Sequence, residues 1–201
     1  MMLRAGLTGG IASGKTTVAR MLRARGFLVL EADPLGHEFL EPGQQAYAEV
    51  VREFGTDILL PGGLVDRAKL GEIIFSDAAR RARINQILHP PILQVIRTWF
   101  GAIDHPGGPP LAFVEAALIF EAGFNQELDK VVVCWSTAEQ QLERLKSRGL
   151  SEREALMRIT SQMPIDEKKK RADVVIDCSA SFDETERQVD QALAQLREMK
   201  K

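Results

Sequence analysis

The chain has 201 residues, 45% of them hydrophobic and 27% charged, with a net charge of −2. At about 150 residues per domain this is a single domain with room for an insertion, and the composition excludes a disordered or collagen-like chain. The balanced charge excludes an overall basic surface of the kind nucleic acid selects, and no apolar run reaches the roughly 18 residues of a membrane span.

Residues 3–8 are a short apolar run that ends in glycines and predicts a first strand. In the helical pattern that follows, Val18, Met21, Leu22 and Arg25 share one face, and Gly26 stands where a helix C-terminal glycine belongs. Residues 27–30 predict a second strand, with Asp33 at its end. Strand, helix and strand in such quick succession make a βαβ unit, which implies a parallel sheet. The region from about 34 to 103 is predicted mostly helical, punctuated at Pro42-Gly43, Pro61-Gly62-Gly63 and Pro90-Pro91. Within it Asp66 reads as a helix N-cap, with Leu70, Ile73 and Ile74 on one face behind it. Residues 105–110 are a loop, and 111–114 a third strand ending at Glu115. Lys130–Trp135 is almost wholly apolar, as a strand buried on both faces would be. Residues 174–176 form a fifth strand, and Val189, Leu193 and Leu196 line one face of a last helix.

Cys134 and Cys178 each close an apolar run and read as buried thiols of a reducing compartment. His37, His89 and His105 are too scattered for metal-ligand spacing. The N-terminus lacks a signal-peptide core, so a cytoplasmic location is expected. One segment departs from the average. Residues 144–171 hold nine Lys/Arg against four acids, a net +5 that leaves −7 for the rest of the chain. Such a segment is either a solvated helix face or one wall of an anion site.

Gly9-Gly10-Ile11-Ala12-Ser13-Gly14-Lys15-Thr16 fits the phosphate-loop pattern, with a strand before it and a helix after it. Glycines let successive backbone N–H groups turn inward around a phosphate. The helix opening near Gly14 directs its dipole at the same anion. Lys15 is a mobile charge for the terminal phosphates, the Thr16 hydroxyl is a hard ligand for Mg²⁺, and Thr17 follows at the α-phosphate. These residues predict nucleoside-triphosphate binding through Gly10, Ile11, Ala12, Ser13, Gly14, Lys15, Thr16 and Thr17.

The Asn-Lys-x-Asp motif that reads guanine is absent, and the Asp-x-x-Gly match at Asp33-Pro34-Leu35-Gly36 follows only the second strand. A compact domain with a basic segment after the fourth strand suits a kinase, since phosphoryl transfer needs water excluded and charge neutralised. Asp33 is the candidate proton acceptor for an acceptor hydroxyl; its local alternative is an N-cap before Pro34. Glu115 is a candidate metal ligand, with a core-edge salt bridge as alternative. Arg144 and Arg148 lie one turn apart and are phosphate contacts or solvated surface. Another phosphate-loop kinase of a small hydroxyl compound, or a nucleotide-binding protein without catalysis, remain the competing readings.

Further blocks carry a more particular signal. They include Leu7-Thr8-Gly9-Gly10-Ile11, Ala32-Asp33, Leu40-Glu41-Pro42-Gly43, Leu64-Val65-Asp66-Arg67, Leu70-Gly71-Glu72-Ile73-Ile74-Phe75, Leu88-His89-Pro90 and Leu118-Ile119-Phe120-Glu121. Gln141-Leu142, Arg144-Leu145, Arg148, Arg158-Ile159, Ser161-Gln162-Met163-Pro164 and Lys168 through Ile176 complete them. Together, in order along nearly the whole chain, they make it resemble the dephospho-coenzyme A kinases. The resemblance implies an α/β fold of the P-loop NTPase type: three layers, a five-stranded parallel sheet, a helical substrate-binding insertion and a helical lid. It implies one domain, with core segments at about 1–33, 111–137 and 173–201, an acceptor-binding insertion at about 34–103 and a lid at about 138–172. It implies transfer of the ATP γ-phosphoryl group to the ribose 3′-hydroxyl of dephospho-coenzyme A with Mg²⁺. Asp33, Lys15 and Arg144 would be catalytic, with Arg148 a further ATP contact and Arg158 a weaker lid candidate. Thr8, Asp33, Arg67, His89, Phe120 and Glu121 would line the acceptor site, and Thr16 and Glu115 would serve the metal. For His89 the alternative is a helix-breaking turn before Pro90-Pro91. The chain departs from the family pattern at Glu115-Ala116-Ala117, where Asp-x-Pro is usual, and at Cys178-Ser179-Ala180, where Asn is usual.

Overall fold

The computed structural model describes residues 2–199. Five strands, β1 (Leu3–Gly9), β2 (Leu28–Glu31), β3 (Leu111–Glu115), β4 (Lys130–Trp135) and β5 (Val174–Asp177), pair in parallel in the order β2-β3-β1-β4-β5. The apolar runs that marked β1, β3 and β4 occupy the middle of the sheet, where both faces are covered. After β1 the chain crosses to one side of it for β2 and β3 and to the other for β4 and β5. That reversal opens a crevice at the carboxyl edge of β1, where ligands of such sheets bind.

The chain divides into two units: residues 2–31 with 100–199, which hold the sheet, and Ala32–Trp99. In the sheet unit, α1 (Lys15–Ala24) and α9 (Phe182–Met199) cover one face. Val18, Met21 and Leu22 meet Val189, Leu193 and Leu196 over Leu7, Phe113 and Ile176. Arg25 lies at the end of that stripe and pairs with Asp190 at 2.6 Å and Glu186 at 3.4 Å on α9. Gly26, at φ 83°, closes α1 as its sequence position predicted, and the Gly26 and Phe27 N–H groups donate to the Arg23 and Leu22 carbonyls.

The basic region forms α6 (Ala138–Lys146), α7 (Glu152–Thr160) and α8 (Ile165–Arg171). Two capping boxes start the first two, Thr137 with Gln140 and Ser151 with Glu154. The cluster of charge is not one surface. Lys146 pairs with Glu143 and Lys170 with Glu167 on the exposed side, while Lys169 lies 3.9 Å over the Trp135 ring. Lys168 is wholly buried: its Nζ lies 2.8 Å from Glu121 Oε1 and donates to the Ala117 carbonyl at 2.6 Å. That carbonyl also accepts from the Thr8 hydroxyl at 3.1 Å, and Glu121 Oε1 accepts the Met163 N–H at 2.9 Å. One charged pair thus ties the end of β1, the stretch after β3 and the turn before α8.

The second unit has its own core. In it α2 (Asp33–Glu38), α3 (Tyr47–Phe54), α4 (Arg67–Ser76) and most of α5 (Ala78–Ile103) surround Leu40, Val50, Ile58, Leu70, Ile84 and Ile87. Asp66 caps α4 as expected, accepting the Ala68 and Lys69 N–H groups at 3.0 and 3.1 Å. Two expectations are corrected here. Pro90-Pro91 does not break the helix and His89 does not sit in a turn, because α5 continues through both prolines. The prolines delete two backbone donors and crowd the preceding turn, but Ile84, Ile87 and Pro91, spaced three and four apart, are all buried, and that stripe keeps the helix together. Nor does Asp33 end the second strand. β2 stops at Glu31, Ala32 takes the cap position without a side-chain bond, and Asp33 opens α2. The fixed φ of Pro34 and the favourable dipole at a helix start place the carboxylate inside the first turn, which also removes the N-cap reading of Asp33.

Removing one partner of a buried ion pair leaves the other charge uncompensated. Lys168→Met is expected to cost about 3–5 kcal/mol in urea unfolding, and joint replacement with Glu121→Leu to recover much of that loss.

Candidate active site

The loop from Gly9 to Lys15 joins β1 to α1 at the crevice, and its neighbours press on it from every side. A side chain at Gly9 would collide with Ser13 Oγ and, at 2.6 Å, with the Cys134 carbonyl. One at Gly10 would stand 2.6 Å from Gln141 Nε2 on α6, and one at Gly14 would stand 2.8 Å from Cys178 Cβ. Gly14 also adopts φ 102°, and Ala12 φ 59°, left-handed backbone on either side of Ser13. Gly14 occupies the N-cap of α1 with no side-chain cap, which leaves the positive end of that ten-residue helix facing the loop.

Charged and polar groups meet there. Lys15 Nζ lies 2.9 Å from Glu115 Oε1, with both side chains largely buried. Glu115 reaches this position from the end of β3, which pairs with β1. The salt bridge considered for Glu115 therefore exists, while its second oxygen, Oε2, is buried without a hydrogen-bond partner. Ser13 Oγ in the loop and Gln141 Nε2 on α6 are likewise buried and unpartnered. Arg144 on α6 donates to the Ala12 carbonyl at 3.0 Å and to the Cys178 carbonyl at 2.7 Å, joining the loop to the turn after β5. A cavity of about 270 Å³ opens beside it, lined by Ala12, Gly14, Thr17, Arg144, Arg148 and Phe182 among others.

The fold thus gathers Gly10–Thr17, Glu115, Arg144 and Arg148 around the loop. Thr8 is buried behind it and Phe120 is buried in the stretch after β3, where Glu121 is engaged by Lys168 and Met163. Asp33, Arg67 and His89 belong to the second unit. There Asp33 and Arg67 act on the same imidazole: burial first, then the Arg67 cation, holds the His37 proton affinity below the usual histidine range, against the opposing pull of Asp33. Arg67 also lies 3.4 Å from Glu41.

Some of the neighbours of these residues were not assigned from sequence. His37, which feels both Asp33 and Arg67, stands one helical turn after Asp33, a spacing that could have found that neighbourhood. Gln162 Oε1 accepts the Ile11 N–H at 2.8 Å, so the Ser-Gln-Met-Pro turn touches the phosphate loop directly. The burial of Lys168 had no sequence signal, since it stands in a run of four basic residues. Among the described residues, no group of three or more His, Cys, Asp or Glu is placed to hold a metal ion, and no helix is long and apolar enough to cross a membrane.

Comparison with known proteins gives the same direction. The family model described as CoaE: Dephospho-CoA kinase matches residues 3–184. The dephospho-CoA kinase of Bacillus licheniformis is 45% identical over 195 residues, 96% of this chain and 96% of that protein. The crystal structure of TT1252 from Thermus thermophilus aligns with a TM-score of 0.80 at 33% identity, covering 97% of this chain and 98% of that one. The dephospho-CoA kinase from Campylobacter jejuni aligns at 0.69 and 28% identity, covering 98% of each chain. A phosphate loop on a five-stranded parallel sheet, matched to one family along nearly its whole length, makes this chain a member of the dephospho-CoA kinase family of ATP-using P-loop kinases.

Proposed function

We propose that the chain transfers the γ-phosphoryl group of ATP to the ribose 3′-hydroxyl of dephospho-coenzyme A, giving coenzyme A and ADP. The observation that carries this reading is the uncapped start of α1 with Lys15 beside it and Glu115 as its buried counter-ion. The loop N–H groups and Lys15 bind the β- and γ-phosphates, and Lys15 follows the charge that develops on the transferred group. Arg144 and Arg148 add positive charge at the same cavity. Asp33 accepts the proton of the attacking hydroxyl. Arg67, His89, Thr8, Phe120 and Glu121 contribute to acceptor binding, with 34–103 as the acceptor-binding insertion and 138–172 as the lid.

The donor set fits a divalent cation. The orphaned Glu115 Oε2 and the exposed Thr16 hydroxyl are hard oxygen ligands, and Mg²⁺ commonly takes only one or two protein oxygens beside water and phosphate. When bound, Mg²⁺ supplies charge neutralisation at the phosphates.

Coupled ADP release tests the reading, with Mg-ATP fixed and dephospho-coenzyme A, adenosine, a nucleoside monophosphate or gluconate added in turn. Dephospho-coenzyme A alone is expected to stimulate, with product phosphorylated at the 3′ position; stimulation by another acceptor instead sinks the assignment. Asp33→Asn is expected to keep ATP binding and lose roughly 10²–10⁴-fold in kcat. Unchanged turnover would remove Asp33 from the chemistry. Lys15→Ala is expected to abolish turnover through loss of charge stabilisation, measured in the same assay.

A further inference from the structure

The phosphate loop rests on two thiols. Cys134 closes the buried end of β4 and stands under Gly9: a side chain at Gly9 would come within 3.3 Å of Cys134 Cβ. Cys178 follows β5 and stands under Gly14, where a side chain would come within 3.0 Å of its Sγ. The two strands are neighbours in register, with Cys134 opposite Ile176, two residues before Cys178. Both cysteines belong to the same buried cluster, and neither is in a disulfide. Cys178 differs from its partner in that it also lines the cavity beside Arg144. We propose that Cys178 is an oxidisable site in the floor of the nucleotide pocket, with Cys134 as its resolving thiol, and that forming the disulfide between them disables the phosphate loop.

Two features give Cys178 the nucleophilic role, against the donation of its neutral thiol to the Ile176 carbonyl at 3.6 Å. The hydrogen bond from the Cys134 S–H, and after it the Arg144 cation, hold the Cys178 thiol below the ordinary range in spite of burial. The sulfur also lies at the positive end of α1, which favours a thiolate. Burial pushes Cys134 the other way, well above that range, so it stays protonated.

Hydrogen peroxide supplies the oxidising equivalents. The Cys178 sulfur gives up its proton and attacks one peroxide oxygen, an S–O bond forms, the O–O bond breaks, and the leaving hydroxide takes up that proton as water. Sulfur has lost two electrons and the peroxide has gained them. The Cys134 sulfur then attacks Cys178, an S–S bond forms, and the hydroxyl leaves with the Cys134 proton as a second water. On the Gly14 side even a Cβ would come within 3.0 Å of Cys178 Sγ, so the sulfur packs against the residue that heads α1. A disulfide needs the two sulfurs closer than hydrogen-bonding distance, so forming it shifts Cys178 Sγ from that place. Dithiol reductants reverse the step.

The inference rests on ATP occupying this loop, so two separate readouts are needed. The protein is treated with hydrogen peroxide, its thiols are mapped by mass spectrometry, and ADP release is followed in parallel. The wild type is expected to lose two hydrogens as a Cys134–Cys178 link, to lose about tenfold or more in turnover, and to recover with dithiothreitol. Saturating Mg-ATP is expected to slow the loss by covering the cavity. Cys134→Ala is expected to stop at the sulfenic acid, trapped by dimedone at Cys178. Two free thiols surviving in the treated wild type overturn the inference, as does an equal fractional loss of turnover in Cys178→Ser. If the untreated protein does not phosphorylate dephospho-coenzyme A, the kinase reading fails instead, and the thiol map still decides the inference.

Discussion

The structure depends on a loop that has no space for side chains. Between β1 and α1 the backbone passes so close to Ser13, Gln141, Cys134 and Cys178 that Gly9, Gly10 and Gly14 cannot carry a Cβ without displacing a neighbour. Gly14 adds a positive φ that only glycine adopts freely. The result is a tightly packed turn at the uncapped head of α1, in which the Ile11 N–H is held by Gln162 and the Ser13 N–H by the Gly10 carbonyl. A helix start of this kind favours negative charge.

Charge around the loop is balanced rather than accumulated. Lys15 is matched by Glu115, and Lys168 by Glu121. Each pair is buried enough that an unmatched partner would be costly, and each leaves one carboxylate oxygen, Glu115 Oε2 or Glu121 Oε2, without a protein donor. The Lys15 pair lies at the head of α1, beside the loop. The Lys168 pair acts at a distance, holding the turn from which Gln162 reaches Ile11. A net +5 in one segment thus resolves into separate tasks: a buried strut, a backbone brace at Arg144, a cavity wall at Arg148 and exposed pairs near the surface.

Much of this was legible residue by residue. Lys130–Trp135 forms its strand because a run without polar alternation suits a strand covered on both faces. Gly26 and Asp66 close and open their helices because the requirement each meets, a left-handed backbone or a side-chain acceptor, is local. Other positions depended on partners far along the chain. Pro90-Pro91 reads as a break, yet burial of Ile84, Ile87 and Pro91 carries α5 through it. Asp33 follows a strand in sequence, yet β3 lies between that strand and β1, and the carboxylate opens a helix. Cys134 and Cys178 are 44 positions apart and become neighbours only through the β4–β5 register.

By itself the amino-acid sequence determined the parallel α/β class, the phosphate loop and the family, because these rest on periodicity, glycine placement and ordered motifs within short stretches. Only the tertiary structure decided which charges are buried, which carbonyls Arg144 braces, and which side chains stand behind the loop. Those outcomes are set by the order in which strands pair and by the room left between packed elements. Neither quantity exists until residues separated by a hundred positions, such as Lys15 and Glu115, come together.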